Sequence, residues 1–212
     1  MSDEPSTVVR AQGLGLHALH GLSFGIGPGL TWVRGGEGRG KTTLLRVLAG
    51  QLVPATGTLE RLPGVPWFED PYDPAEDDTV AQAWLDTRRR RHRAWDRAHE
   101  ARLAEAFGLA EHLPKPLYML SKGSRRKVGL VGALASGALL ALLDEPFAAL
   151  DARLRRRLRQ ELLELQQQLG LPMLLITHDE EEVRQLAEEV VPLHGGRVVD
   201  SMPGDIAMAV VV

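Results

Sequence analysis

Apolar residues in this chain fall into two patterns, short runs and helical stripes. Leu30-Thr31-Trp32-Val33, Leu139–Leu143 and Met173–Thr177 are nearly unbroken apolar runs, the signature of strands covered on both faces in a parallel sheet. Asp151–Leu169 carries Leu154, Leu158, Leu162, Leu165 and Leu169 at helical spacing, with charges elsewhere around it, which predicts an amphipathic helix. Thr43–Ala49 and Glu180–Glu189 read as further helices, each following an apolar run. Thr7–Ala11, Gly21–Ile26 and Val65–Phe68 are strand candidates bounded by Gly and Pro. Thr79–Gly108 is polar and helical up to the Pro-marked Leu113-Pro114-Lys115-Pro116. Val190–His194 and Arg197–Ser201, joined by Gly195-Gly196, predict a closing hairpin. Alternating strands and helices in the last third predict an α/β fold with a mainly parallel sheet.

Val128–Leu143 has no charge. As one helix its length of about 24 Å falls short of a hydrocarbon core of roughly 30 Å. Ser136-Gly137 interrupts it, so it reads as a buried helix through about Ala135 and then a buried strand. No membrane span is expected.

Composition changes this picture little. At 212 residues the chain can bury one α/β core, with room for a small subdomain. A net charge of −3 argues against nucleic-acid binding through charge alone. The absence of cysteine excludes disulfides and thiolate metal sites and suits a reducing cytosol. Met1-Ser2-Asp3-Glu4-Pro5 is too polar and acidic for a secretory signal.

The chemistry begins at Gly35-Gly36-Glu37-Gly38-Arg39-Gly40-Lys41-Thr42-Thr43, set between an apolar strand and a helix. Glycines let successive backbone N–H groups wrap a phosphate, and the helix N-terminus adds a favourable dipole. Lys41 can reach the β- and γ-phosphates, and the Thr42 hydroxyl can ligate Mg²⁺. Downstream, the run Leu139–Leu143 ends in Asp144-Glu145, which puts two carboxylates at the carboxyl end of a buried strand, where open α/β sheets bind ligands. Asp144 there can hold Mg²⁺ or its waters, and Glu145 can polarise an attacking water. His178 follows Met173–Thr177 at the same edge. It is either a γ-phosphate partner or a solvated loop residue.

Taken in order, the phosphate loop, Leu120-Ser121-Lys122-Gly123-Ser124, Leu143-Asp144-Glu145-Pro146, Ala149-Leu150-Asp151 and Thr177-His178-Asp179 resemble the ATP-binding cassette (ABC) ATPases over nearly the whole chain. The resemblance implies a P-loop NTPase core with an N-terminal antiparallel β subdomain, formed by residues 1–78 and 137–212. It places a helical subdomain at about 79–136. It implies ATP and Mg²⁺ as cofactors, with Lys41, Glu145 and His178 as catalytic residues. Ser121 and Gly123 would grip the γ-phosphate held by a second cassette, and Asp151 would lie in the loop that communicates across the dimer. The chain would work as an ATP-hydrolysing subunit with separately encoded transmembrane subunits, peripheral on the cytoplasmic face of the membrane and not bound to nucleic acid. Its short length and Asp144–Asp151 look like small exporter-type cassettes, similar to the haem-exporter ATPase of cytochrome c maturation. The alternatives are a soluble ABC ATPase acting on DNA or the ribosome, or a regulatory cassette that does not turn ATP over.

The departures from the family pattern are specific. Lys122 and Ser124 stand where the family commonly has Gly and Gln. Arg126 and Lys127 read as helix-surface decoration. No glutamine follows Val65–Phe68; Glu69 takes its place as a third candidate metal ligand, beside Thr42 and Asp144. The family stacks adenine on an aromatic residue some twenty residues before the phosphate loop; Gly13-Leu14-Gly15-Leu16-His17 there offers no Tyr, Phe or Trp, which leaves Leu16 or His17. The run Arg88–Arg93 has four open readings: a solvated face, attraction to anionic lipid, docking to a membrane subunit, or nucleic-acid contact.

Overall fold

The computed structural model describes residues 7–35, 38–68, 72–179, 181–183, 186, 197–198 and 206–211. They divide into two compact units, one drawn from Met1–Phe68, Leu139–Glu145 and Leu163–Val212, the other from Glu69–Ala138 and Pro146–Leu162.

In the first unit, β1 (Val9–Leu16) and β2 (Leu19–Ile26) pair antiparallel, and β1 pairs antiparallel with β4 (Thr56–Arg61) on its other side. These strands run longer than the apolar segments predict because β1 and β2 share a tight turn in which His17 adopts φ 51°. β1 and β4 approach closely at Gly57: a Cβ there would lie 2.4 Å from the Gln12 carbonyl oxygen, and its φ of +79° suits only glycine.

A second sheet has the order β5-β6-β3-β8-β7, formed by β3 (Leu30–Gly35), β5 (Ala141–Asp144), β6 (Met173–Ile176), β7 (Arg197–Val198) and β8 (Ile206–Val211). β3, β5 and β6 are parallel, as their unbroken apolar runs predict. β8 is antiparallel to β3, and β7 to β8. Of the expected closing hairpin, Val190–His194 lies outside the described residues, and Arg197–Val198 pairs with β8. Val65–Phe68 forms no strand. Trp67 makes an isolated parallel bridge to Ala141, with its N–H donating to the Leu140 carbonyl at 2.8 Å and its carbonyl accepting the Leu142 N–H at 2.9 Å, while the Val65 carbonyl accepts the Leu139 N–H at 3.1 Å. Between the sheets runs one apolar cluster that includes Val9, Leu14, Ile26, Val33, Leu142, Leu174 and Ile176. α1 (Lys41–Leu48) adds Leu44, Leu45, Val47 and Leu48 to it from one face. Past β6, Glu181–Val183 and Leu186 are helical; the rest of the expected helix Glu180–Glu189 lies outside the described residues.

The second unit is helical: α2 (Ala81–Arg89), α3 (Arg97–Ala106), α4 (Lys122–Ala135) and the first part of α5 (Ala152–Leu169). The polar stretch from Thr79 is two helices rather than one. Asp96 opens the second as its N-cap, its Oδ1 accepting the His99 N–H at 2.9 Å. Both α2 and α3 pack on α4, whose apolar face includes Val128, Leu130, Val131 and Leu134. No helix among the described residues is long and apolar enough to cross a membrane.

Candidate active site

Three parallel strands, β3, β5 and β6, point their carboxyl ends to one edge of the sheet. At that edge β3 ends in Gly35 and the chain turns through Gly38, Arg39 and Gly40 into α1. Gly36 and Glu37 lie outside the described residues. Gly40 sits before the helix at φ 88°. A Cβ there would meet Leu19 Cδ2 at 2.9 Å and Ala18 Cβ at 3.4 Å, so only glycine fits between the β1–β2 turn and the helix start. The Gly40 carbonyl accepts the Leu44 N–H at 2.8 Å and begins the helical ladder. Lys41 is the first, buried residue of α1, followed by exposed Thr42 and half-buried Thr43. The turn that touches Gly40 carries His17 and Leu16 immediately before Ala18, with His17 exposed.

Thr42 Oγ1 donates to Asp144 Oδ2 at 3.2 Å. That contact joins the phosphate-loop helix to the tip of β5, from residues more than a hundred positions apart in sequence. Two oxygens so spaced suit adjacent ligands of an octahedral Mg²⁺, whose short bonds put neighbouring oxygens about 2.9 Å apart. Among the described residues no three His, Asp or Glu side chains gather to hold a metal by themselves. An ion here would draw its remaining ligands from phosphate and water, the ordinary habit of Mg²⁺. Thr42 and Asp144 therefore fit the expected metal; Glu69 lies outside the described residues.

Glu145 follows directly. Its N–H donates to the Ile176 carbonyl at 2.8 Å, and its φ of 48° turns the chain out of the strand. Its Oε1 accepts the His178 N–H at 3.0 Å, and His178 Nε2 stands 3.5 Å from the same oxygen. The β5–β6 pairing thus brings Asp144, Glu145 and His178 to one corner beside Thr42. His178 is 59% exposed and Glu145 30%, an openness that leaves room for water and a phosphate.

In the second unit, Ser121 is the N-cap of α4, its Oγ accepting the Ser124 N–H at 3.1 Å. Gly123 abuts the loop before α5: a Cβ there would lie 3.0 Å from the Ala149 carbonyl oxygen. Asp151 caps α5 through the Leu154 N–H at 2.9 Å. Two contacts were not legible in the sequence. The Tyr72 hydroxyl donates to the Lys122 carbonyl at 2.6 Å, and the Arg126 guanidinium lies 5.2 Å from the Tyr72 ring centre. Arg126 is thus engaged with an aromatic face rather than simply decorating the helix.

The arginine run also departs from a wholly solvated face. Arg88 is buried, pairs with Glu76 at 3.1 Å and stacks 3.9 Å over Trp84. Arg89 Nη2 lies 2.8 Å from both Glu100 oxygens, while Trp95 Nε1 donates to Glu100 Oε2 at 2.7 Å. His92 is buried, and burial first, then Arg91, holds its imidazole below the usual pKa. Only Arg90, Arg91 and Arg93 of the run's cations are exposed. Nearby, His99 Nε2 meets Glu161 at 3.0 Å, both buried, and Arg157 pairs with the same carboxylate.

Comparison with known proteins gives the family. The profile of the ABC transporter family matches residues 19–148. The aliphatic sulfonates import ATP-binding protein of Mycobacterium avium is 37% identical over 192 residues, spanning 89% of this chain and 76% of that protein. The taurine import ATP-binding protein of Pseudomonas entomophila is 34% identical over 197 residues, 87% of this chain and 76% of that one. Among solved structures, a bacterial ABC transporter cassette described as dimeric matches with a TM-score of 0.70 at 18% identity, over 83% of this chain and 90% of that one. That last likeness is one of fold alone.

Proposed function

The chain belongs to the ABC transporter family and is an ATP hydrolase of that family, and on that premise we propose that it drives import of a small solute through separate transmembrane subunits. The observation that carries the catalytic part is the 3.2 Å contact of Thr42 with Asp144 and the adjoining Glu145–His178 pair. The loop Gly35–Thr43 wraps the phosphates of ATP, with Lys41 neutralising them. Thr42 and Asp144 hold Mg²⁺, which when bound screens phosphate charge. Glu145 orients and deprotonates the attacking water, and His178, fixed against Glu145, donates to the γ-phosphate. Ser121 and Gly123 grip the γ-phosphate held by a second cassette, so two chains close around nucleotide and reopen after hydrolysis. Asp151, whose side chain caps α5, lies in the loop facing that second cassette.

For direction, both relatives are named as import proteins, and the expectation of an exporter-type cassette finds no support in them. Those names favour import; a position on the inner face of the membrane, against the membrane-embedded partner, is part of the same proposal. The test is turnover by the purified chain with Mg-ATP. Glu145→Gln should abolish hydrolysis while leaving ATP binding intact. Undiminished turnover in that variant would overturn the assignment of the base.

A further inference from the structure

The hydroxyl of Ser124 sits where the family pattern has a glutamine amide, and its surroundings give it a task. Ser124 is buried, whereas Ser121 is exposed at the start of α4. Ser121 Oγ already accepts the Ser124 backbone N–H at 3.1 Å, and the two side-chain oxygens stand 3.0 Å apart. Distance alone does not say which hydroxyl donates. Burial does. If Ser121 donated, the Ser124 hydrogen would have no acceptor among the described residues, an arrangement that costs free energy. If Ser124 donates, its hydrogen is satisfied, and the Ser121 hydrogen turns outward, where water or an anion can accept it. Both lone pairs of Ser121 Oγ are then occupied by Ser124, once through the amide and once through the hydroxyl. Accepting two hydrogen bonds also polarises the Ser121 O–H and makes it a better donor.

We propose that Ser124 is a positioning residue that locks the Ser121 hydroxyl as an outward donor for the γ-phosphate. This rests on the reading of Ser121 as a γ-phosphate ligand. Ser124 itself touches no nucleotide; it acts by fixing a rotor that would otherwise choose among several orientations. The off-pattern serine is thus a replacement with its own geometry, a short side chain one helical turn from the cap that reaches the cap directly.

A double-mutant cycle on the full chain, read as KM and kcat for Mg-ATP, tests this. Ser124→Ala should raise KM by about 3- to 10-fold, the span of one net hydrogen bond, with a melting temperature close to that of the parent. Ser124→Thr, which keeps the hydroxyl, should restore KM. Ser121→Ala should raise KM at least as much, and adding Ser124→Ala to it should change nothing further, because the two residues act through one donor. If Ser121→Ala leaves KM unaltered, the reading of Ser121 is wrong and the proposal falls with it. If Ser121→Ala raises KM but Ser124→Ala does not, or if the two effects multiply, Ser121 keeps its role and the positioning by Ser124 is refuted. Failure of Ser124→Thr to recover KM while it melts like the parent also refutes it.

Discussion

Replacing Arg89 by alanine separates a structural arginine from a surface one. Arg89 Nη2 binds both oxygens of Glu100 at 2.8 Å, and Nη1 reaches Asp86 at 2.8 Å. The Glu100 side chain is 10% exposed and that of Arg89 18%, whereas Asp86 is 41% exposed. The Asp86 contact is solvent-screened and is worth at most about 1 kcal/mol. The Glu100 pair is the larger matter. Removing one partner of a buried pair costs about 3–5 kcal/mol, because the other charge stays buried. Here Trp95 Nε1 still donates to Glu100 Oε2 at 2.7 Å, which offsets part of the loss. Arg89→Ala should therefore destabilise the chain by about 2–4 kcal/mol. The assay is urea unfolding followed by tryptophan fluorescence, with Arg93→Ala, an exposed neighbour, expected within about 0.5 kcal/mol of the parent. Adding Glu100→Gln to Arg89→Ala should recover part of the loss by removing the unpaired charge. Equal stability of Arg89→Ala and Arg93→Ala would refute the argument for Arg89.

Two other outcomes are expected. Asp144→Asn should raise the Mg²⁺ concentration for half-maximal hydrolysis by about tenfold or more, since a ligating carboxylate becomes a neutral amide; an unchanged Mg²⁺ titration at fixed ATP would exclude Asp144 from the metal site. Burial lowers the pKa of His92 in the folded chain, so the unfolded chain takes up that proton first as the pH falls. The contribution of His92 to stability should be full above the ordinary value of about 6.5 and decline as the pH drops toward the lowered folded value. His92→Leu should flatten this slope between pH of about 7.5 and 5.5 in urea midpoints; an identical slope in the variant would show that another group titrates.

What the chain disclosed in advance is the backbone part of the site. Unbroken apolar runs placed β3, β5 and β6; Asp144, Glu145 and His178 stand one or two positions past the runs of β5 and β6, and the phosphate loop opens two positions past that of β3. The features that stayed hidden are contacts whose partner lies elsewhere in the chain. In α2 the buried residues are Ala81, Trp84, Leu85 and Arg88, a helical stripe that includes a charge. A reading that sorts arginine with the solvent-facing positions passes over it. The acidic partner Glu76 of Arg88 lies outside that helix, so no local spacing predicts the pair. β8 escaped notice because Ile206–Val211 pairs antiparallel with β3, residues Leu30–Gly35, and nothing near it in sequence marks its partner. Tyr72 on Lys122 is the same problem, its two residues 50 positions apart.

Register explains why the catalytic corner nevertheless follows from so little sequence. Asp144 lies opposite Ile176 in the parallel pair, and the Glu145 N–H then closes on the Ile176 carbonyl at 2.8 Å. That single hydrogen bond sets Glu145 at the turn out of β5, from which its Oε1 meets the His178 N–H at 3.0 Å. Slipping the pairing by one residue would flip every side chain of β5 to the other face. Leu142 would leave the apolar cluster, with Ala141 and Leu143 turned to its side, and Asp144 would turn away from Thr42. The burial of Leu142 and Leu143 therefore holds the carboxylates in place: the same apolar contacts that stabilise the sheet fix the position of the groups at its edge. Any substitution that loosens this register should lower catalysis and stability together, whereas changes at Glu145 or Asp144 themselves should separate the two.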